Sequence, residues 1–408
     1  MKMKSVLKYI IFLIFTLIFV SCSDNGSESN TDTDYCKDVQ CGVNSTCVEL
    51  DKKGECKCDD NYIFSPSENK CIINEVDLCE NLQCKINEEC KIIDEKAECV
   101  CKSGYILDAG NCIEKEKTLK EVKIRVMAAN LTTSTYQDYE FYGTSIMHAM
   151  KADIILVQEF NYDLDFNNST SDAEVEAMII EIYGVNNGYH FYRGKEIVVE
   201  DGDTPIPNGI ISKYPILKKG VWIDEKVPNR DFNYAKIDIP GDKDLWVVSL
   251  HLKAGSSDDG VRNLQTKELM KKIKSEIPDG DYIVIGGDLN TSDRDERCID
   301  NLNDIFKTEG PHPVCEAGKE GTNRSRRNPY DWVIASKSLA SLQVSTDFCY
   351  DDILANCKRY PDGLVFDSKK YDEYDLEVYF EPVELDDSRG GEMQHMGVIK
   401  DFLIEYME

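Results

Sequence analysis

Residues 282–290 read YIVIGGDLN, a short apolar and β-branched run that stops on two glycines and a carboxylate. A run of this length closed by polar groups reads as a buried strand. The same form recurs in KIRVMAAN (123–130), ADIILVQEF (152–160), NGIISKYPI (208–216), LWVVSLHL (245–252), YDWVIAS (330–336) and MGVIKDFLI (396–404). Between them, FYGTSIMHAMKA (141–152) and NLQTKELMKKIKSEI (263–277) carry apolar residues at helical spacing. Strands alternating with helices predict an α/β domain over residues 122–404. Polar residues recur where these strands are expected to end at their C-terminal side: Asn130, Gln158 with Glu159, His251, Asp288 with Asn290, Asp331 and His395. A rim of that kind is where open sheets place binding sites.

The residue types at that rim fit one chemistry. A glutamate closing an apolar strand is costly to bury unless it is paired or holds a cation. Glu159 with the oxygens of Asn130 suits a hard divalent ion such as Mg²⁺, with Mn²⁺ or Ca²⁺ as alternatives. His251 and His395 can give a proton to a leaving oxygen or steady developing negative charge. Asp288 can orient or activate water, and Asn290 can hold a phosphoryl oxygen. Together they describe metal-assisted phosphoester hydrolysis. Taken singly, each has a plainer role: a histidine at a strand end is usually structural, and Gly286-Gly287-Asp288 can be a simple turn. Arg324, Arg326 and Arg327 form the dense basic patch of an acidic domain; they are expected either to hold substrate phosphate, Arg324 and Arg326 above all, or to be a solvated loop.

The ordered set ILVQEF, SLHL and GGDLN resembles the endonuclease/exonuclease/phosphatase superfamily, which includes deoxyribonuclease I, bacterial sphingomyelinases and inositol-polyphosphate phosphatases. The resemblance implies a four-layer α/β/β/α sandwich with its site at one edge of two sheets. By position it makes Asn130 a substrate and metal contact, Glu159 the metal ligand, and His251, Asp288, Asn290, Asp331 and His395 the catalytic group, with Asp331 orienting a histidine. It also implies a phosphodiester substrate, DNA first, with a phospholipid head group, an inositol phosphate or an inactive binding protein as alternatives. One position departs: the family has Asp before the terminal His, and this chain has Gln394. Glu392 or Asp387 are the acids that would substitute.

The rest of the chain sets the setting. With 47 Lys and Arg against 76 Asp and Glu, the net charge of −29 over 408 residues argues against broad nucleic-acid binding, which rests on clustered cations displacing counterions. Lys2, Lys4 and Lys8 precede an apolar run from Ile10 to Val20, the layout of a signal peptide over residues 1–21 that is too short to span a bilayer. Phe19-Val20-Ser21-Cys22 resembles a bacterial lipobox, which implies lipidation at Cys22, a polar tether over 22–35 and a place in the bacterial cell envelope; ordinary cleavage and secretion is the other reading.

Cysteines follow at 36, 41, 47, 56, 58 and 71, and again at 79, 84, 90, 99, 101 and 112, the first five of each set 43 residues apart. Six cysteines in a stretch with few large apolar residues mark a unit held by cross-links, with zinc as the weaker alternative in an exported chain. Each unit, 36–71 and 79–112, resembles an epidermal-growth-factor-like module, and that resemblance implies first-to-third, second-to-fourth and fifth-to-sixth pairing. It would serve as a spacer or as a protein-binding arm; calcium binding is not expected, because Tyr35 and Leu78 stand where an acidic or amide residue belongs. Of the other four cysteines, closeness in sequence pairs Cys298 with Cys315 and Cys349 with Cys357.

Overall fold

The computed structural model describes residues 34–60, 62–73, 78–80, 82–94, 96–134, 137–164, 169–194, 206–350 and 356–408. The expected signal segment, Cys22 and most of the tether lie outside them. The chain divides into two units, Met1–Lys115 and Glu116–Glu408.

In the first unit, each cysteine module is two hairpins: Ser45–Leu50 with Lys53–Cys58 and Tyr62–Ser65 with Lys70–Ile73, then Glu88–Ile93 with Lys96–Cys101 and Tyr105–Asp108 with Asn111–Glu114. Six disulfides join Cys36–Cys47, Cys41–Cys56, Cys58–Cys71, Cys79–Cys90, Cys84–Cys99 and Cys101–Cys112. The pairing is the one the resemblance implies, and with all twelve thiols bonded the zinc alternative falls.

The second unit contains, in chain order, β1 (Leu119–Ala129), α1 (Phe141–Met150), β2 (Ile154–Val157), α2 (Asp172–Tyr183), β3 (His190–Arg193), β4 (Gly209–Ser212), β5 (Ile216–Trp222), β6 (Phe232–Ile237), β7 (Leu245–His251), α3 (Asp259–Glu276), β8 (Tyr282–Asp288), β9 (Asp331–Ala335), β10 (Gln343–Val344), β11 (Leu364–Val365) and β12 (Val398–Met407), with shorter helices and a small hairpin of Thr346–Cys349 with Cys357–Tyr360 between. One sheet runs β3-β4-β2-β1-β12-β10, with β11 also pairing β12; the other runs β5-β6-β7-β8-β9. Helix α2, which the sequence reading did not single out, starts on a capping box in which Ser171 and Glu174 each accept from the other's backbone amide.

Strand alternation builds the layers. In β8, Ile283 and Ile285 point into one apolar cluster and Val284 into another. In β1, Ile124, Val126 and Ala128 face the second sheet, whereas Met127 and Ala129 face α1 and α2. Strands buried on both faces read as unbroken apolar runs, which is why period-two alternation is invisible in their sequences. The three clusters are three contacts between four layers: α1 and α2 on the first sheet, sheet on sheet, and α3 on the second. This is the α/β/β/α sandwich.

The sheets are fastened at one end by polar groups. Gln158 Nε2 donates to Ser249 Oγ at 2.9 Å, and Ser249 Oγ donates to the Val157 carbonyl at 2.7 Å. Gly287 permits this approach: at φ +129 a Cβ there would lie 2.2 Å from the Leu250 carbonyl and 2.4 Å from Gln158 Nε2. The glycine pair is therefore not a turn but the last part of β8, thinned to let Gln158 reach across.

Cys349 and Cys357 are disulfide-bonded, as expected. Cys298 and Cys315 are not, and the expected pair is corrected: both are free and buried. Cys298 lies in the cluster between the second sheet and α3, and Cys315 in the cluster between the sheets, so a layer of strands separates them.

Candidate active site

Register brings three of the expected residues into one row. His251 on β7 stands opposite Asp288 on the parallel strand β8, and Asp288 stands opposite Asp331 on the antiparallel strand β9. Asp331 begins its strand and His395 precedes β12, so the expectation of a rim made wholly of C-terminal ends is corrected. Antiparallel strands enter at the edge where their neighbours leave, and the same rim results.

From the first sheet, Asn130 follows β1 and Glu159 follows β2. Asn130 Nδ2 lies 3.4 Å from Glu159 Oε1 and 3.3 Å from Asp288 Oδ2, which joins the two sheets' residues into one site. Thr132 Oγ1 donates to Glu159 Oε2 at 2.7 Å. Asn290 Nδ2 donates to Asp288 Oδ2 at 2.9 Å, and its amide donates to Asp288 Oδ1 at 2.9 Å. Glu159 and Asn290 both have left-handed backbone, at φ 51 and 52, an unusual conformation concentrated at functional positions.

The histidines differ in charge. His395 Nδ1 lies 3.1 Å from Asp331 Oδ2, and its Nε2 lies 3.7 Å from Asp288 Oδ2. Burial opposes the imidazolium, but Asp331 and Asp288 outweigh it and raise the pKa to about 10. Burial of Asp288 is likewise outweighed, first by the charge of His395 and then with the help of the Asn290 amide, which hold its carboxyl at about 2. Burial raises Asp331 against the pull of His395. His251 is pushed down, first by burial and then by Arg230. The site thus pairs one charged with one neutral histidine.

Arg230 escaped the sequence reading because it sits in the loop before β6, outside any strand pattern. Its Nη1 lies 2.8 Å from His251 Nε2 and 3.3 Å from the Leu252 carbonyl. A guanidinium only donates, so Nε2 accepts from it and cannot also donate to Asp288 at 3.3 Å. The shorter contact fixes the tautomer and leaves His251 Nδ1 buried without a partner.

The arginine cluster separates. Arg324 is exposed, and its amide donates to the Gln394 carbonyl at 2.7 Å, beside His395. Arg326 is instead turned inward: its Nε pairs with buried Asp367 Oδ2 at 2.8 Å. The side chain of Gln394 is exposed. Of its expected substitutes, Asp387 accepts from the Glu384 amide and Glu392 from Ser134 Oγ. Among the described residues the acids paired with His395 are Asp331 and Asp288.

Two sheets packed face to face, with a carboxylate, amide and histidine cluster along one shared edge, define a phosphoesterase-type sandwich. Residues 144–358, just over half of the chain, match the Endonuclease/Exonuclease/phosphatase family, and the protein belongs to it. It is a hydrolase family acting on phosphoester bonds. Residues 78–113 match a model described as the RIPR EGF-like 6th domain. Sphingomyelinase C of Bacillus cereus is 28% identical over 199 residues, 41% of this chain and 57% of that enzyme. Phospholipase C of Staphylococcus aureus is 31% identical over 139 residues, 31% of this chain and 39% of that enzyme. The chain thus spans about half the length of the curated relatives it matches. A solved endonuclease/exonuclease/phosphatase family protein from Leptotrichia buccalis superposes with a TM-score of 0.42 at 12% identity, over 68% of this chain and 99% of that one.

Proposed function

We propose that the large domain is a divalent-metal-dependent phosphodiesterase that cleaves phospholipid head groups, in the manner the names of its curated relatives describe. The observation that carries the chemistry is the convergence of Asn130, Glu159, His251, Asp288, Asn290, Asp331 and His395 at one edge of the two sheets. The donor set fits a hard cation. Two carboxylates face one amide through contacts of 3.3 and 3.4 Å, which leave lone pairs open to an ion. Bound by Glu159 and Asn130 Oδ1, Mg²⁺ or a similar ion would neutralise phosphoryl charge as a Lewis acid.

The remaining work belongs to the side chains. His395, held charged by Asp331, donates to a phosphoryl oxygen as negative charge develops. Asp288, ionised at neutral pH, accepts a hydrogen bond from the attacking water and is itself fixed by Asn290. His251 is neutral and positioned by Arg230. Gln394 removes a charge from the site without depriving His395 of its acid partner, which supports retained activity.

Substrate choice rests on the relatives and on charge. A net charge of −29 disfavours a polyanion, and lipidation at Cys22 in a bacterial envelope would hold the domain near lipid without a transmembrane helix. No helix among the described residues is long and apolar enough to cross a membrane. DNA is the second reading, favoured by exposed Arg324 beside His395; the cysteine modules would be a spacer or a partner-binding arm. The test is hydrolysis of sphingomyelin and phosphatidylcholine vesicles, plasmid DNA and inositol phosphates, each with Mg²⁺ or a chelator. Release of the head group that stops with chelator is expected, and His251→Ala and His395→Ala each lower the rate by about 10²–10⁴. Unchanged turnover in those variants refutes the site.

A further inference from the structure

The loop that carries Arg230 and the chain leaving His251 are fastened to one side chain of α3. Gln265 is fully buried. Its Oε1 accepts from the Lys253 amide at 2.9 Å, and its Nε2 donates to Asp224 Oδ2. One contact needs an acceptor and the other a donor, so the side-chain amide has a single orientation. Neither a carboxylate nor an apolar group of the same length can replace it.

Asp224, also fully buried, lies at the start of the loop between β5 and β6. Its Oδ1 accepts from the Lys226 and Val227 amides at 2.9 and 3.2 Å, and its own amide donates to Asp231 Oδ1 at 2.8 Å. The Arg230 amide donates to the Val227 carbonyl at 3.2 Å. The loop is thus clasped on itself, and Gln265 ties it to α3.

The other end of Gln265 sets a peptide group. The Lys253 N–H and the Leu252 carbonyl belong to one trans peptide and point in opposite directions. With the N–H held by Gln265, the carbonyl lies 3.3 Å from Arg230 Nη1 and 3.1 Å from Asn290 Nδ2. Arg230 Nη1 in turn lies 2.8 Å from His251 Nε2, and Asn290 Nδ2 lies 2.9 Å from Asp288 Oδ2. A buried amide bonded at both ends can be a plain core contact. What sets Gln265 apart is that the two segments it joins are the two that must meet for Arg230 to reach His251.

We propose that Gln265 is a positioning residue for the phosphoester site: by tying the Asp224 loop to the Leu252–Lys253 peptide, it holds Arg230 against His251 Nε2 and keeps the His251 proton on Nδ1. Its effect on rate rests on the phosphodiesterase reading of the site; its effect on the tautomer does not.

Nitrogen-15 shifts of the histidine rings in the full-length protein, together with head-group release kinetics, test it. Wild-type His251, assigned by the signal lost in His251→Ala, is expected to show one neutral tautomer with the proton on Nδ1. Gln265→Met is expected to mix the two tautomers and to lower kcat about 10–10²-fold with KM nearly unchanged. The exchanged pair, Asp224→Asn with Gln265→Glu, reverses donor and acceptor across their contact and still accepts from the Lys253 amide. It is expected to restore both the tautomer and kcat. A single Nδ1–H tautomer or an unchanged kcat in Gln265→Met overturns the proposal, as does an exchanged pair that regains the wild-type Tm without the tautomer. Should Gln265→Met not fold, Asp224→Asn alone, which sets amide against amide, takes its place with the same expected outcomes. A wild type that hydrolyses nothing refutes the proposed function and leaves the tautomer to decide the role of Gln265.

Discussion

Among the described residues of the cysteine modules, Ser65 and Cys112 are the buried ones, and exposed Ile86, Leu107 and Phe64 show how little apolar surface is covered. The large domain buries three continuous apolar layers and leaves two thiols unbonded inside them. One unit is held by covalent links that restrict its unfolded chain, the other by area removed from water. Oxidation therefore governs the first unit, whereas the second, with its one disulfide at Cys349–Cys357, rests mainly on its apolar layers.

Reduction separates the two most sharply. Dithiothreitol is expected to unfold the modules, each lost bridge over an 11- to 15-residue separation costing about 3 kcal/mol, while the large domain keeps its cooperative melt. Hydrogen exchange read by mass spectrometry checks it; loss of protection in both units would break the contrast. Next is Arg262→Met. Arg262 is fully buried, pairs with Glu296 through two contacts of 2.8 Å, and donates to the Lys253 and Gly255 carbonyls. Its removal leaves Glu296 a buried unpaired charge and is expected to cost about 3–5 kcal/mol in calorimetry, confined to the large-domain transition. Cys357→Ser, which opens the short loop closed by Cys349, should cost that domain about 2 kcal/mol in urea titration.

A pH-dependent effect is smaller. Burial, then Asp163, Glu140 and Glu159, raise Asp138 to about 6. A carboxyl raised in the native state favours folding while protonated, and that contribution is lost as pH rises from about 4 through 6. In chelator, Asp138→Asn should therefore melt about 2 °C above wild type at pH 7 and level with it at pH 4, the effect being reduced by solvent screening. Least of all, Ile86→Ser should change module stability by under about 0.5 kcal/mol, because Ile86 is 87% exposed.

Much of the site was readable because its residues terminate or begin apolar runs: Asn130, Glu159, His251 and Asp288 each close one. The module pairing was readable through a repeat. What escaped depends on contacts distant in sequence. Arg326 looked like a substrate ligand because nothing in its neighbourhood announces Asp367, and Arg230 lies in a loop whose composition carries no periodic signal. Cys298 and Cys315 are near in sequence, but the fold assigns them to different layers, which proximity along the chain cannot register.

The row formed by His251, Asp288 and Asp331 makes the site a gauge of strand alignment. A slip of β9 by one residue would offer Asp288 a tyrosine or a tryptophan in place of Asp331 and take from His395 the nearer of its two acid partners. Partial assembly is thus excluded by pleating itself: the edge is either aligned and armed or misaligned and inert. Insertions that lengthen loops can be absorbed, whereas a single residue added within β8 or β9 would silence the site while leaving most of the apolar layers in place.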